Sequence, residues 1–127
     1  MKHIRFAIFV IATATVLALV APMARAEMTL VMVEEHGCVW CARWNEEIAP
    51  IYPKTAEGRA APLRRIDIHA RPPEDMEFAS GLHFTPTFVL MVDGQESGRI
   101  EGYPGEDFFW GLLGKLIDRA SADGAEG

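Results

Sequence analysis

Two cysteines, Cys38 and Cys41, are the only cysteines in the 127-residue chain, and two residues separate them. They follow a short apolar run and stand where a helical pattern begins. Unpaired backbone N–H groups and the positive end of a helix dipole favour a thiolate at Cys38. A thiolate attacks disulfides, and Cys41, one helical turn further along, is close enough to release the partner. The spacing therefore predicts thiol–disulfide exchange, with Cys38 as nucleophile and Cys41 as resolving thiol.

The cysteine pair also has two interpretations that involve no exchange. A purely structural disulfide would close a very short loop and contribute about 2 kcal/mol on chain-entropy grounds. A copper- or zinc-binding module would use both cysteines with His36 or His83 as a further ligand. The direction of electron flow is open as well, because a reductase and a thiol oxidase for exported proteins can share this motif.

The first 26 residues have the composition of a secretory signal peptide. A short positive segment at 2–5 precedes an unbroken apolar run at 6–20, and Ala24-Arg25-Ala26 supplies small residues where a signal peptidase reads. The apolar run is short for a helix that crosses about 30 Å of hydrocarbon. We therefore expect cleavage before Glu27, export of the chain, and no membrane span in the mature protein.

Removal of residues 1–26 leaves a strongly acidic chain. It takes away three of the 12 basic residues and none of the 18 acidic ones, so the net charge becomes −9. Phosphate contacts need a basic face, so this composition argues against nucleic-acid binding. The remaining length suits one small domain, which we place at 27–120, followed by a small, polar and flexible tail at 121–127.

Hydrophobic periodicity predicts four strands, at 28–33, 63–68, 87–92 and 97–101. The Asp93-Gly94 pair between the last two is typical of a β-hairpin turn.

The same reasoning predicts three helices. The first begins at Cys38, and the second spans 74–79. The third begins near Glu106 and continues to about Ala120. The residues expected on the buried faces of the first and third helices are Trp44, Ile48 and Ile51, and Phe108, Phe109, Leu112, Leu113, Leu116 and Ile117. The element order β-α-β-α-β-β-α predicts an α/β fold, a four-stranded mixed sheet with helices on both faces.

A second motif, Thr85-Pro86-Thr87, stands just before the most apolar predicted strand. Together with the cysteine pair at a strand–helix junction, it makes residues 28–120 resemble the thioredoxin superfamily. The resemblance implies a thioredoxin-like fold and a cis peptide bond before Pro86, with the proline beside the cysteines. It also implies that Thr85 offers backbone hydrogen bonds to a bound substrate. Trp40, between the cysteines, is expected to be exposed and to contact a partner.

The chain departs from ordinary thioredoxins in two features of this site. The Trp-Cys-Gly-Pro-Cys centre is absent, and Met32 occupies the position of the buried acid six residues before the first cysteine. The proton acceptor for Cys41 is therefore open, with Glu34 and Glu35 as candidates.

A more specific resemblance is to the SoxS thioredoxin-like proteins of bacterial sulfur-oxidation gene clusters. It implies a periplasmic oxidoreductase without a cofactor, kept reduced by a membrane thiol–disulfide electron donor. Its implied partner is the SoxYZ sulfur carrier, whose cysteine it would return to an active state. The segments that carry this resemblance are Gly37-Cys38-Val39-Trp40-Cys41-Ala42-Arg43-Trp44, Tyr52-Pro53-Lys54-Thr55 and Glu101-Gly102-Tyr103-Pro104-Gly105-Glu106-Asp107-Phe108-Phe109-Trp110.

Overall fold

The structure, a computed structural model, describes residues 21–22 and 24–126. This part of the chain contains eight secondary-structure elements. The strands are β1 (Met28–Glu34), β2 (Leu63–Asp67), β3 (Thr87–Val92) and β4 (Gln95–Glu101). The helices are α1 (Val39–Glu47), α2 (Ala56–Ala60) and α3 (Glu106–Ala125), with a 3₁₀ turn at Tyr52–Lys54 before α2.

The four strands form one mixed sheet in the order β2-β1-β3-β4. β1 runs parallel to β2 and antiparallel to β3, and β3 pairs antiparallel with β4. The two central strands are the most apolar because they are covered on both faces; Leu30 and Val31 of β1, on opposite faces, are both fully buried. The predicted four-stranded mixed sheet of an α/β protein is confirmed.

One face of the sheet carries all three helices. An aromatic cluster forms the centre of this core: the ring of Trp44 in α1 lies 5.2 Å from that of Phe88 in β3 and 5.8 Å from that of Phe109 in α3. All three side chains are fully buried. The cluster joins α1 and α3 to the strand that follows Pro86.

The second face of the sheet carries no helix in the described residues. Its buried residues, Val31, Val33, Val89 and Met91, are covered by the segment 68–86, which we call the covering segment. The expected helix at 74–79, and with it the expectation of helices on both faces, is wrong.

The covering segment is extended because it pairs with the β3–β4 hairpin. Glu77 donates its N–H to the Gly94 carbonyl at 2.7 Å and accepts from the N–H of Glu96 at 3.0 Å. Met76 and Phe78, two residues apart, both pack on the sheet. This spacing of two is that of an extended chain, and a six-residue helix would have forfeited the hydrogen bonds to the hairpin.

Helix α1 is shorter than its apolar pattern predicts. It ends at Glu47, three residues before Pro50, which lacks the N–H that a continuing helix needs. Trp44 and Ile48 are fully buried as expected, but Ile51 lies beyond the helix and is 41% exposed, so that expectation is wrong.

Helix α3 buries a narrower face than the sequence predicts. Phe109, Leu113 and Leu116 face the sheet, whereas Phe108 and Leu112 are exposed. Only the side chains on one side of the helix can pack against the sheet. The neighbouring large apolar side chains of Phe108 and Leu112 therefore remain in solvent. The helix continues to Ala125, into the predicted tail, whose flexibility stays a prediction.

The predicted signal peptide lies largely outside the described residues, which begin at residue 21. In the described part of the chain, no helix is long and apolar enough to cross a membrane.

Candidate active site

Cys38 and Cys41 form a disulfide at the start of helix α1, with their Cα atoms 5.2 Å apart. Cys38 is the N-cap residue, with an extended backbone (φ −73°, ψ 107°), and its Sγ accepts a hydrogen bond from the N–H of Cys41 at 3.1 Å. That N–H is one of the helix donors without a helical partner. The sulfur of Cys38 therefore lies where a helix stabilises negative charge.

The two cysteines differ in exposure. Cys41 is 3% exposed and belongs to the core, whereas Cys38 is half-buried at its edge. A partner that approaches from solvent therefore reaches Cys38 first, and Cys41 faces the interior.

The Thr85–Pro86 peptide bond is cis, and Pro86 is buried at the start of β3. Strand register places this proline next to the segment that leads to the cysteines: Val33 of β1 pairs with Thr87 of β3, so the residues before β3 lie beside those that follow β1. The Pro86 carbonyl accepts from the N–H of Gly102 at 2.7 Å. The structure therefore brings together the two motifs that the sequence singled out.

Three exposed apolar side chains occupy the two segments that meet here. Val39 and Trp40, between the cysteines, are 75% and 52% exposed, and Phe84, two residues before Pro86, is 57% exposed. Exposed large apolar residues in one place are typical of a contact surface. The expected exposure of Trp40 is thus observed.

A chain of polar contacts supports Trp40. The guanidinium of Arg43 lies 5.7 Å from the centre of the Trp40 ring, and its Nε donates to Glu47 at 2.8 Å. The hydroxyl of Tyr103 donates to the other oxygen of Glu47 at 2.5 Å. These bonds, first that from Arg43 and then that from Tyr103, hold the pKa of Glu47 below its usual value.

Glu35, which precedes the cysteines, bridges three loops. Its carboxylate accepts from the hydroxyl of Thr85 at 2.8 Å and bonds to Nε2 of His69 at 2.8 Å. The bond from Thr85, followed by that from His69, lowers the pKa of Glu35. Sequence reasoning did not find the contact with Thr85, since the two residues are 50 positions apart and neither belongs to a motif with the other.

Both carboxylates considered as proton acceptors for Cys41 have other partners. Glu34 accepts from Arg65 at 2.8 Å, and Glu35 bonds to Thr85 and His69. The Arg65 guanidinium also donates to the sulfur of Met32 at 3.4 Å. A cation therefore lies beside Met32, the residue at the position of the buried acid in ordinary thioredoxins.

The candidate metal ligands His36 and His83 are exposed. Across residues 21–22 and 24–126, no three His, Cys, Asp or Glu side chains lie close enough together to hold a metal ion. The metal-binding alternative thus gains no support from the arrangement of these side chains.

Comparison with known proteins finds a solved structure that matches most of the chain. No protein-family model and no curated protein matches the sequence. Among solved structures, the chain is similar to the crystal structure of the periplasmic thioredoxin SoxS from Paracoccus pantotrophus in its reduced form, with 56% identity and a TM-score of 0.73. The match covers 74% of this chain and 99% of that one.

Identity at this level over an entire related chain shows common descent, and the site geometry agrees with it. The chain therefore belongs to the thioredoxin superfamily, among its SoxS-like members, and is a thiol–disulfide oxidoreductase that uses the Cys38–Cys41 pair.

Proposed function

We propose that the chain acts in the periplasm as a reductant of a protein disulfide, with a SoxY-type sulfur carrier as its partner. The observation that carries this proposal is the asymmetry of the pair: Cys38 is half-buried at a helix N-terminus, whereas Cys41 is buried behind it. The similarity to a SoxS protein supports the choice of partner.

The reaction begins with the reduced dithiol. The Cys38 thiolate attacks one sulfur of the partner disulfide, that S–S bond breaks, and the leaving sulfur takes a proton. Cys41 then attacks Sγ of Cys38 and releases the second partner sulfur, which is also protonated. Two electrons have passed to the partner, and the chain holds the Cys38–Cys41 disulfide seen here. A membrane thiol–disulfide donor returns the two electrons.

Thr85, Pro86 and Trp40 form the partner-binding surface in this proposal. Among residues 21–22 and 24–126, no group bonds to the backbone N–H or C=O of Thr85, so both are free for an extended partner segment. Trp40 supplies a large apolar contact next to them.

Export and cleavage before Glu27 are part of the proposal. The related SoxS protein is periplasmic, which supports export. Glu27 is also where the chain joins the fold: its N–H donates to Asp93 Oδ1 at 2.8 Å, and its carbonyl accepts from the Asp93 N–H at 2.8 Å. Cleavage at this point would turn that N–H into an ammonium group facing a carboxylate, which would strengthen the contact.

A trapping experiment tests the function. In the Cys41→Ser variant the mixed disulfide on Cys38 cannot be resolved, so we expect a covalent complex with the sulfur carrier on a non-reducing gel. The complex should disappear on reduction and should be absent from the matched Cys38→Ser variant. A Cys41→Ser variant that never retains the carrier would contradict the choice of partner, and one that retains no protein at all would contradict protein disulfide reduction.

A further inference from the structure

Glu35 lies where three elements of the sheet meet. It follows the last residue of β1, and Glu34 pairs with Asp67 at the end of β2. Val33 pairs with Thr87 at the start of β3. Glu35 belongs to no strand or helix, and its carboxylate links the loop after β2 to the loop before β3.

The bond between Glu35 and Thr85 is the more protected of the two. The Glu35 side chain is 35% exposed and Thr85 is half-buried, whereas His69 is 77% exposed. A charge-assisted hydrogen bond that is shielded from water is stronger than a neutral one. Water competes for the His69 contact, so Thr85 is the principal partner of this carboxylate.

Thr85 is the residue whose free backbone groups face the partner in the proposed function. The Thr85 side chain, one bond away from that backbone, is held by Glu35. Glu35 lies on the loop that leads to Cys38, the N-cap of α1. Thr87 restrains the same turn from the opposite side, since its hydroxyl donates to the Phe84 carbonyl at 2.7 Å. The Thr85 backbone is thereby fixed relative to the cysteine that attacks.

We infer that Glu35 is a positioning residue for protein substrates: through Thr85 it holds the partner-binding backbone in register with Cys38. This inference rests on the proposed function. It extends that function because the Glu35 carboxylate bonds to Thr85 and His69 rather than to a cysteine, and so acts on the bound segment rather than on sulfur chemistry. The Glu35 carbonyl accepts from the Cys38 N–H at 3.4 Å, and a change of side chain leaves that backbone bond in place. Small disulfides that do not occupy the Thr85 backbone should be indifferent to it.

The test compares two probes on the full reduced chain: insulin, whose disulfides lie in a polypeptide, and hydroxyethyl disulfide, which is small. For Glu35→Ala we expect kcat/KM with insulin to fall roughly three- to tenfold, the worth of one such hydrogen bond. The rate with hydroxyethyl disulfide should stay within about twofold of the wild type. Glu35→Gln keeps an acceptor oxygen and should restore most of the insulin activity.

Two further variants separate positioning from a general effect on folding. Thr85→Val removes the hydroxyl and keeps the side-chain shape, and it should match Glu35→Ala with insulin. The double variant should then be no worse than either single one. The matched control is Asp75→Ala, which removes the two bonds between Asp75 of the covering segment and Arg64 of β2 and should leave both activities unchanged.

Each other outcome overturns a stated part of this scheme. Equal losses with insulin and hydroxyethyl disulfide, additive losses in the double variant, or no loss with insulin would overturn the positioning role of Glu35. A wild-type chain that reduces hydroxyethyl disulfide but not insulin would instead overturn the proposed function, and this inference with it.

Discussion

Cys38 and Cys41 are chemically identical residues in different surroundings. The N-cap position and partial exposure of Cys38 favour both a thiolate and access by a reagent, whereas Cys41 is only 3% exposed. The division of labour between nucleophile and resolving thiol therefore follows from the position of the helix start.

This asymmetry predicts selective alkylation of the reduced chain. At neutral pH, iodoacetamide should modify Cys38 at least about tenfold faster than Cys41, because reaction needs an accessible thiolate. Peptide mass spectrometry after short exposures measures the two rates. Equal rates, or faster modification of Cys41, would contradict the proposed roles.

Tyr103 and Glu47 predict a pH-dependent stability difference. The pKa of Glu47 is lower in the folded chain than in the unfolded one. Its contribution to the free energy of unfolding is therefore present above the ordinary pKa of glutamate and is lost as the pH falls through the lowered pKa. Tyr103→Phe removes one of the two bonds to this carboxylate. Its deficit in unfolding free energy relative to the wild type should therefore be largest near neutral pH and shrink in acid.

At alkaline pH the direction reverses, because the stabilising contribution of Tyr103 is lost as the pH rises. The pKa of Tyr103 is raised, first by desolvation and then by Glu47, so its contribution is complete below the ordinary tyrosine value and declines as the pH rises through the raised one. Urea unfolding of both proteins across the pH range gives the difference. A deficit that is constant with pH would contradict this account of the contact.

At the scale of elements, the covering segment is the distinctive feature of this fold. It protects one sheet face with an extended chain whose packed apolar side chains are only half-buried: Ile68, Met76, Phe78 and Leu82. The cohesion of this segment with the sheet therefore depends on these few apolar contacts.

Phe78 tests the contribution of the covering segment. Phe78→Ala should lower the free energy of unfolding by about 1–3 kcal/mol, less than a fully buried phenylalanine would cost. Phe84→Ala is the matched control, because Phe84 is 57% exposed and its removal should change stability by no more than about 0.5 kcal/mol. Denaturant titration measures both, and equal effects would show that Phe78 does not hold the segment to the sheet.

At the scale of the whole molecule, the direction of electron flow is decided by the stability of the disulfide relative to the dithiol. The motif does not determine this difference, because helix dipole, burial and neighbouring charges all contribute. Met32 stands where ordinary thioredoxins have a buried acid, and the Arg65 guanidinium beside it gives this site a different local field.

The proposed reductant role predicts a low potential. Equilibration with redox buffers, monitored by Trp fluorescence or thiol labelling, should give a value near the thioredoxin figure of about −270 mV. A value near about −120 mV would identify a thiol oxidase instead.

The cysteine pair, the proline motif, the four strands and the hairpin could be predicted from the sequence because each is a local pattern. Asp93 and Gly94, for example, both adopt positive φ, of 50° and 80°, as the Asp-Gly pair predicts. The placement of Cys38 at a helix start follows from the change of periodicity after β1. Such signals need only neighbouring residues.

Three features were decided by tertiary structure. The segment 74–79 has helical composition, but hydrogen bonds to the hairpin and a vacant sheet face make it extended. Phe108 belongs to an apolar helix face, yet it remains in solvent because the sheet accommodates only one row. Glu35 meets Thr85 only when β1 and β3 pair. Each depends on contacts between distant residues, whose energies exceed the local preferences that a sequence pattern reports.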